Sequence, residues 1–179
     1  MLVDFYGYAT DCTVSGHIDL GSSRLSEFLE RNDEIVVQRA TLLGLRGEQP
    51  SSVARLTLRR DELFAAEARM PAGAAAATSE RRIHTVRHLV RLVCGPYEFL
   101  GELHALPGAP PMRALLNRRS MVPLTGCVAI FDRGGNSEIR RAPVVVANGA
   151  LIDVAEPARI EDLEPALAAR LTELMGHAG

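Results

Sequence analysis

Apolar-rich and alternating stretches broken by turn residues recur along this chain, and a period of two, clearest at 97–106, predicts strands rather than helices. Residues 13–20 read as extended. Ser22 or Ser23 is placed to cap a helix running to Arg31, with Glu27 as the reciprocal partner. Leu25, Phe28 and Leu29 form its apolar stripe. A long hairpin then pairs 35–45 with 53–60 across a polar loop at 46–52, and a short strand at 63–66 follows. Further along, 85–94 is rich in Val and Leu and is broken by Gly95-Pro96. Residues 97–106 resume with Tyr97, Phe99, Gly101 and Leu103 on one face. Pro110 and Pro111 suit the first turn of a short helix at 112–119. A second hairpin pairs 122–131 with 142–147 across 132–140, where Gly134-Gly135-Asn136 supplies turn chemistry. Residues 151–154 close the series.

The two series follow one pattern. Gly16 answers Gly101, and Ile18 answers Leu103. Leu25, Phe28, Leu29 and Arg31 answer Met112, Leu115, Leu116 and Arg118. Ile35 and Val37 answer Val122 and Leu124, while Leu58, Leu63 and Phe64 answer Val146, Leu151 and Ile152. The offset grows from 85 through 87 to 88. The expected fold class is therefore mainly β with short helices: two tandem small bent-sheet or β-barrel repeats plus a C-terminal amphipathic helix. The expected divisions are 1–69, a linker at 70–80, a second repeat at 81–157 and the helical end at 158–179. In that last stretch Ile160, Leu163, Leu167, Leu171 and Leu174 recur at three or four residues. A unit of about 80 residues is marginal alone, so the two should meet along an apolar seam. A mid-strand glycine at the same point in both, Gly16 and Gly101, predicts a bulge or a close backbone approach.

The stretch Ser15-Gly16-His17-Ile18-Asp19-Leu20 with Leu25 and Leu29, and its echo Leu100-Gly101-Glu102-Leu103 with Leu115-Leu116-Asn117, resembles the Sm-like domains of uncharacterised bacterial proteins. The resemblance covers about half of each repeat and implies a small, strongly bent β-barrel. The chain departs from that pattern by placing its helical element after the second strand rather than before the first.

Composition narrows function mainly by exclusion. All 20 basic residues are arginine, and net charge is −2. Residues 1–79 carry 8 Arg against 11 acids, residues 80–157 carry 10 against 7, and the remainder 2 against 4. That balance is far from the strongly basic one of a dedicated nucleic-acid binder. No apolar run is long enough for a membrane span. Three cysteines at Cys12, Cys94 and Cys127 match no zinc spacing or disulfide framework, and the start of the chain lacks the layout of a signal peptide. These features lead to the expectation of a cytoplasmic protein without a cofactor.

Two constellations carry candidate chemistry. Arg81, Arg82, Arg87 and Arg91, with Arg118 and Arg119, form a basic set suited to an anion or a phosphate backbone. The stretch lacks aromatics for base stacking, and an edge strand guarded by charge has the same composition. Cys94 could act as a nucleophile if His104 served as its base. His84 and His88, with His104 or His17, lack a third ligand at metal-binding spacing. The resulting expectation is a non-catalytic paired β-module that binds a protein partner or itself, as in a homodimer. RNA, DNA or anionic-ligand binding through the arginines is the alternative, and a Cys94 enzyme the second.

Overall fold

A computed structural model of the chain describes residues 1–69, 85–110, 112, 115 and 121–159. The expected linker, Arg81, Arg82, His84, Arg118, Arg119 and the helix beginning at Ile160 lie outside the described residues. The first half contains β1 (Leu2–Ala9), β2 (Cys12–Asp19), α1 (Leu25–Arg31), β3 (Glu34–Gly44), β4 (Ser51–Arg59), a 3-10 turn at Arg60–Glu62, and β5 (Leu63–Arg69). The second half contains β6 (Val86–Cys94), β7 (Tyr97–Ala105), β8 (Met121–Arg133), β9 (Asn136–Asn148), a 3-10 turn at Gly149–Leu151, and β10 (Val154–Pro157).

All ten strands form one antiparallel sheet in the order β10-β6-β7-β8-β9-β5-β1-β2-β3-β4. Each half has the same internal order, its last strand lying beside its first. The halves join where β9 meets β5, with Ala65 opposite Ala147 and Ala66 opposite Val146. Among the described residues no pairing closes the sheet, so of the two expected forms the open sheet is observed rather than the barrel.

Strand registers sharpen the equivalence of the halves. Adding 85 to the pair Leu2–Asp19 gives Arg87–His104, also a pair. Adding 87 and 89 to Glu34–Arg59 gives Met121–Asn148. In the closing strands Tyr6–Glu67 becomes Arg91–Glu156, offsets of 85 and 89. The last two strands of the halves therefore correspond at 89 rather than 88, which matches Leu58 with Ala147 and Leu63 with Ile152.

Some expected boundaries shift. The turn at Gly134-Gly135 takes positive φ at both residues, so β8 and β9 run to its edges and the expected loop at 132–140 contracts. The closing strand of the second half begins at Val154, because residues 149–151 form a 3-10 turn in which Asn148 Oδ1 accepts from the Ala150 N–H at 3.1 Å. Helix α1 starts after Arg24 rather than after a serine, and Glu27 Oε2 accepts from the Arg24 N–H at 3.5 Å.

Both mid-strand glycines sit at register shifts. The β2–β3 ladder slips between Ser15 and His17, and the β7–β8 ladder between Leu100 and Glu102. A Cβ at Gly16 would lie 2.6 Å from Val37 Cγ1 and 2.7 Å from the Gln38 carbonyl oxygen, so the facing strand leaves no room for a side chain.

Each core borrows from the other half. Val3, Phe5, Val14, Ile18, Leu25, Leu29, Ile35 and Val37 pack with Met121 and Val146. Tyr8 and Ala65 join Leu92, Tyr97, Phe99, Leu124 and Phe131. The seam is aromatic and hydrogen-bonded as well as apolar. Tyr8 meets Tyr97, Phe99 and Phe131 edge-on at 5.1–6.0 Å, and such pairs contribute about 0.5–1.5 kcal/mol each beyond burial. Tyr97 Oη donates to the Ala9 or Cys12 carbonyl oxygen, at 2.7 and 3.0 Å. Arg133 reaches across to the carbonyls of Leu43 and Gly44 at 2.7 and 3.0 Å and to Thr13 Oγ1 at 2.9 Å.

Candidate functional site

The two faces of β1 have different fates. Val3, Phe5 and Ala9 point into the first core, while the alternate residues Asp4, Tyr6 and Tyr8 share the other face. Along that face Tyr8 is buried in the second core, Tyr6 is half-buried and Asp4 is exposed. Where the face emerges into solvent the sheet carries a concave cleft of about 490 Å³. Register brings its lining residues together. Asp4 lies between Arg69 of β5 and His17 of β2, and Tyr6 lies between Glu67 of β5 and Ser15 of β2. Arg39 of β3 and Arg140 of β9 complete the lining, so both halves contribute.

The floor is an ion pair held in place from two sides. Glu67 is only 2% exposed, yet apart from the terminal Arg69 its strand is otherwise built from Leu63, Phe64 and alanines. Its Oε1 accepts from the Tyr8 hydroxyl at 2.5 Å and from Arg140 Nε at 3.0 Å, and Oε2 accepts from Arg140 Nη2 at 3.4 Å. A buried carboxylate needs such partners, because leaving it unpaired costs several kcal/mol. Burial, reinforced by the neighbouring Glu67 charge, pushes the Tyr8 phenol well above its ordinary range. For Arg140 burial works against the cation, but the hydrogen bond and charge of Glu67 outweigh it and raise its pKa. The Arg140 guanidinium also lies over the Tyr6 ring, 3.8 Å from its centroid.

The rim is less satisfied. Arg69 Nη2 donates to the Arg141 carbonyl at 3.1 Å. Among the described residues neither Arg69 nor Arg39 meets a carboxylate. Arg39 has φ of 49°, the one non-glycine residue at positive φ among those described. His17 Nε2 lies 3.4 Å from Asp4 Oδ1, and its Nδ1 is buried without a hydrogen-bond partner.

Part of the corresponding region of the second half is apolar, whereas Tyr6, His17 and Glu67 answer the charged Arg91, Glu102 and Glu156. By the register offsets, Asp4, Ser15, Arg69 and Thr41 correspond to Leu89, Leu100, Ala158 and Val128. These four pack together with Ile130 and Ile139. Arg39 corresponds to Gly126, which has φ of 56°. The combination of Asp4, Ser15, Arg39 and Arg69 is therefore particular to the first half, while Arg140 comes from the second.

The arginines singled out in the sequence behave differently where they are described. Arg91 bonds Glu98 through Nε and Nη2, at 2.6 and 2.9 Å, and Glu156 through Nη1 at 2.7 Å. Those hydrogen bonds, Glu98 first, raise its pKa. Arg87 pairs with Glu102 at 3.3 Å. Both charges are thus met within the protein. Cys94 is fully buried, and burial with a smaller contribution from Asp153 pushes its thiol up to about 12. It lies opposite Tyr97, while His104 lies opposite Arg87, seven residues along β7 (104 − 97). At ~3.3 Å per residue that is about 23 Å, so the geometry does not bring thiol and imidazole together. His88 and His104 occupy opposite faces, because His104 is registered with Arg87, the neighbour of His88.

Arg39, Arg69, Glu67 and Arg140 were not among the sequence candidates. Two signals for them exist. Glu67 is a charge inside an apolar strand, and Arg39 stands where the other half carries glycine. No protein-family model matches the chain, and comparison with curated proteins gives no match.

Proposed function

We propose that this protein is a non-catalytic β-module whose task is assembly, joining head to tail with further copies of itself. The observation that carries the reading is the internal junction. Strand β9 of one half pairs with β5 of the other, and the equivalents of those two strands, β4 and β10, are the two ends of the sheet. Each copy thus presents on its outer ends the same pair of edges that it already joins internally. Joining unlike edges is a heterologous contact, which yields rings where the rotation closes and filaments where it does not. Val53 on β4 and Val154 on β10 are exposed apolar residues on those edges. Descent of the halves from one ancestral unit accounts for the shared strand order, and the protonated, isolated Cys94 fits a role without catalysis.

The junction also predicts a register. Ala65 and Ala66 pair with Ala147 and Val146. Their equivalents are Val154 and Ala155 on β10, and Leu58 and Thr57 on β4. Val154 of one copy should therefore face Leu58 of the next. Light scattering behind size exclusion should give multiples of 19.4 kDa. Oxidation of the variant carrying both Leu58→Cys and Val154→Cys should give a ladder of covalent multimers that neither single variant gives. A strictly monomeric chain at high concentration, or cross-linking by a single variant alone, refutes the head-to-tail reading.

A further inference from the structure

The polar cleft carries a second function that does not depend on assembly. We infer that it is a binding site for a small phosphorylated ligand, with Arg39 and Arg69 as the oxyanion contacts and Asp4 and Ser15 as acceptors for neighbouring hydroxyls.

Four observations converge. The cleft, at about 490 Å³, has the volume of a small-molecule site, and such sites fall roughly between 300 and 1,000 Å³. Its floor is fixed by the Glu67, Tyr8 and Arg140 hydrogen bonds and by Arg140 over Tyr6, so ligand groups would meet a preorganised surface. Arg39 and Arg69 reach it without a carboxylate partner among the described residues, in contrast to Arg87 and Arg91. A guanidinium presents paired N–H donors whose geometry matches phosphate oxygens.

The fourth observation concerns backbone conformation. A left-handed φ disfavours any side chain, and the second half meets the same bulge with Gly126. The first half keeps arginine there. Strain retained at a residue whose side chain lines a cleft fits a binding role, since strained residues cluster at functional sites. Asp4, Ser15 and Arg69 meet the apolar equivalents Leu89, Leu100 and Ala158, so the fold itself does not need polar groups at those three positions.

The ligand is small, because the cleft is a local concavity bounded by Asp4, His17, Arg39, Arg69 and Arg140. Asp4 beside Arg69 favours a molecule carrying hydroxyls near its phosphate over a bare polyanion.

Isothermal titration with ribose 5-phosphate at constant ionic strength tests the inference, with ribose and inorganic pyrophosphate as comparison probes. Wild type should bind ribose 5-phosphate saturably and ribose not at all. Arg39→Gly should weaken binding at least tenfold while leaving the unliganded melting temperature unchanged or higher. Arg69→Gln, on the opposite rim, should weaken it independently. Absence of saturable binding by both phosphorylated probes overturns the proposal, as does an Arg39→Gly variant that binds like wild type. Single-stranded RNA bound with equal strength by wild type and Arg39→Gly would move anion recognition off the cleft and overturn it too. Oligomeric mass measured on the same samples separates a failure here from a failure of the assembly reading.

Discussion

Alanine at Gly16 and at Gly101 should have unequal consequences, although the two glycines lie opposite equivalent bulges. At Gly16 the added methyl would lie 2.6 Å from Val37 Cγ1 and 2.7 Å from the Gln38 carbonyl oxygen. Unstrained carbon contacts lie at about 3.5–4.0 Å, so the overlap approaches 1 Å. Val37 is fully buried and can move little, and the Gln38 oxygen is main chain in the strand that carries the bulge. The cost should fall in the upper part of the overpacking range, about 2–3 kcal/mol. At Gly101 the nearest atoms are Leu124 Cβ, Cys127 Cβ and Cys127 Cα at 3.1, 3.2 and 3.3 Å. Those contacts need shifts of a few tenths of an ångström, and removing a flexible glycine from the unfolded chain offsets about 0.4–1 kcal/mol of the strain. Gly101→Ala should therefore change stability by less than about 1 kcal/mol. Urea unfolding followed by circular dichroism measures both. With a slope of roughly 2 kcal/mol/M, Gly16→Ala should lower the midpoint by about 1–1.5 M at unchanged slope. A Gly101→Ala loss equal to or greater than that of Gly16→Ala would refute the reasoning.

Tyr97→Phe should destabilise by about 1–3 kcal/mol in the same assay, because it removes the donor shared by the Ala9 and Cys12 carbonyls; an unchanged midpoint would show that those carbonyls find other partners. Alkaline stability should fall through the Cys94 thiol. Its pKa in the fold is about 12, against an unfolded value near 8.5, so the unfolded chain binds fewer protons between those limits. That stabilisation is complete below about pH 8.5 and is lost at about 1.4 kcal/mol per pH unit as pH rises toward the folded value. Cys94→Ala should flatten that part of the stability–pH curve, and an unaltered slope would rule out ionisation of Cys94 as its cause.

The mainly β architecture was legible because apolar alternation and turn residues act locally. The bulges at Gly16 and Gly101 could be read for the same reason: glycine inside a strand pattern has few structural uses. The end of the second half was harder. Val145, Val146 and Ala147 extend the apolar pattern, and only the Asn148 hydrogen bond to the Ala150 N–H marks where the 3-10 turn begins and delays β10. Leu63 answers Ile152 rather than Leu151, because the 3-10 turns at Arg60–Glu62 and Gly149–Leu151 occupy equivalent places. The cleft was hidden for a different reason. Arg39, Arg69 and Arg140 are scattered in the sequence and meet through β1–β5, β5–β9 and β2–β3 pairing. The denser basic stretch drew attention instead, although Arg87 and Arg91 face acids contributed by β7 and β10.

Placing β5 between β1 and β9 has a consequence for synthesis. Ala66 leaves the ribosome 80 residues ahead of its partner Val146 (146 − 66), so the flank of β5 that awaits β9 has no mate in the nascent polypeptide. At ~5–20 residues per second that interval lasts about 4–16 s. During it Glu67 has not yet met Arg140, and an uncompensated carboxylate in an alanine-rich strand repels mispairing with other growing chains. The same side chain thus guards an unfinished fold and later anchors the floor of the completed cleft.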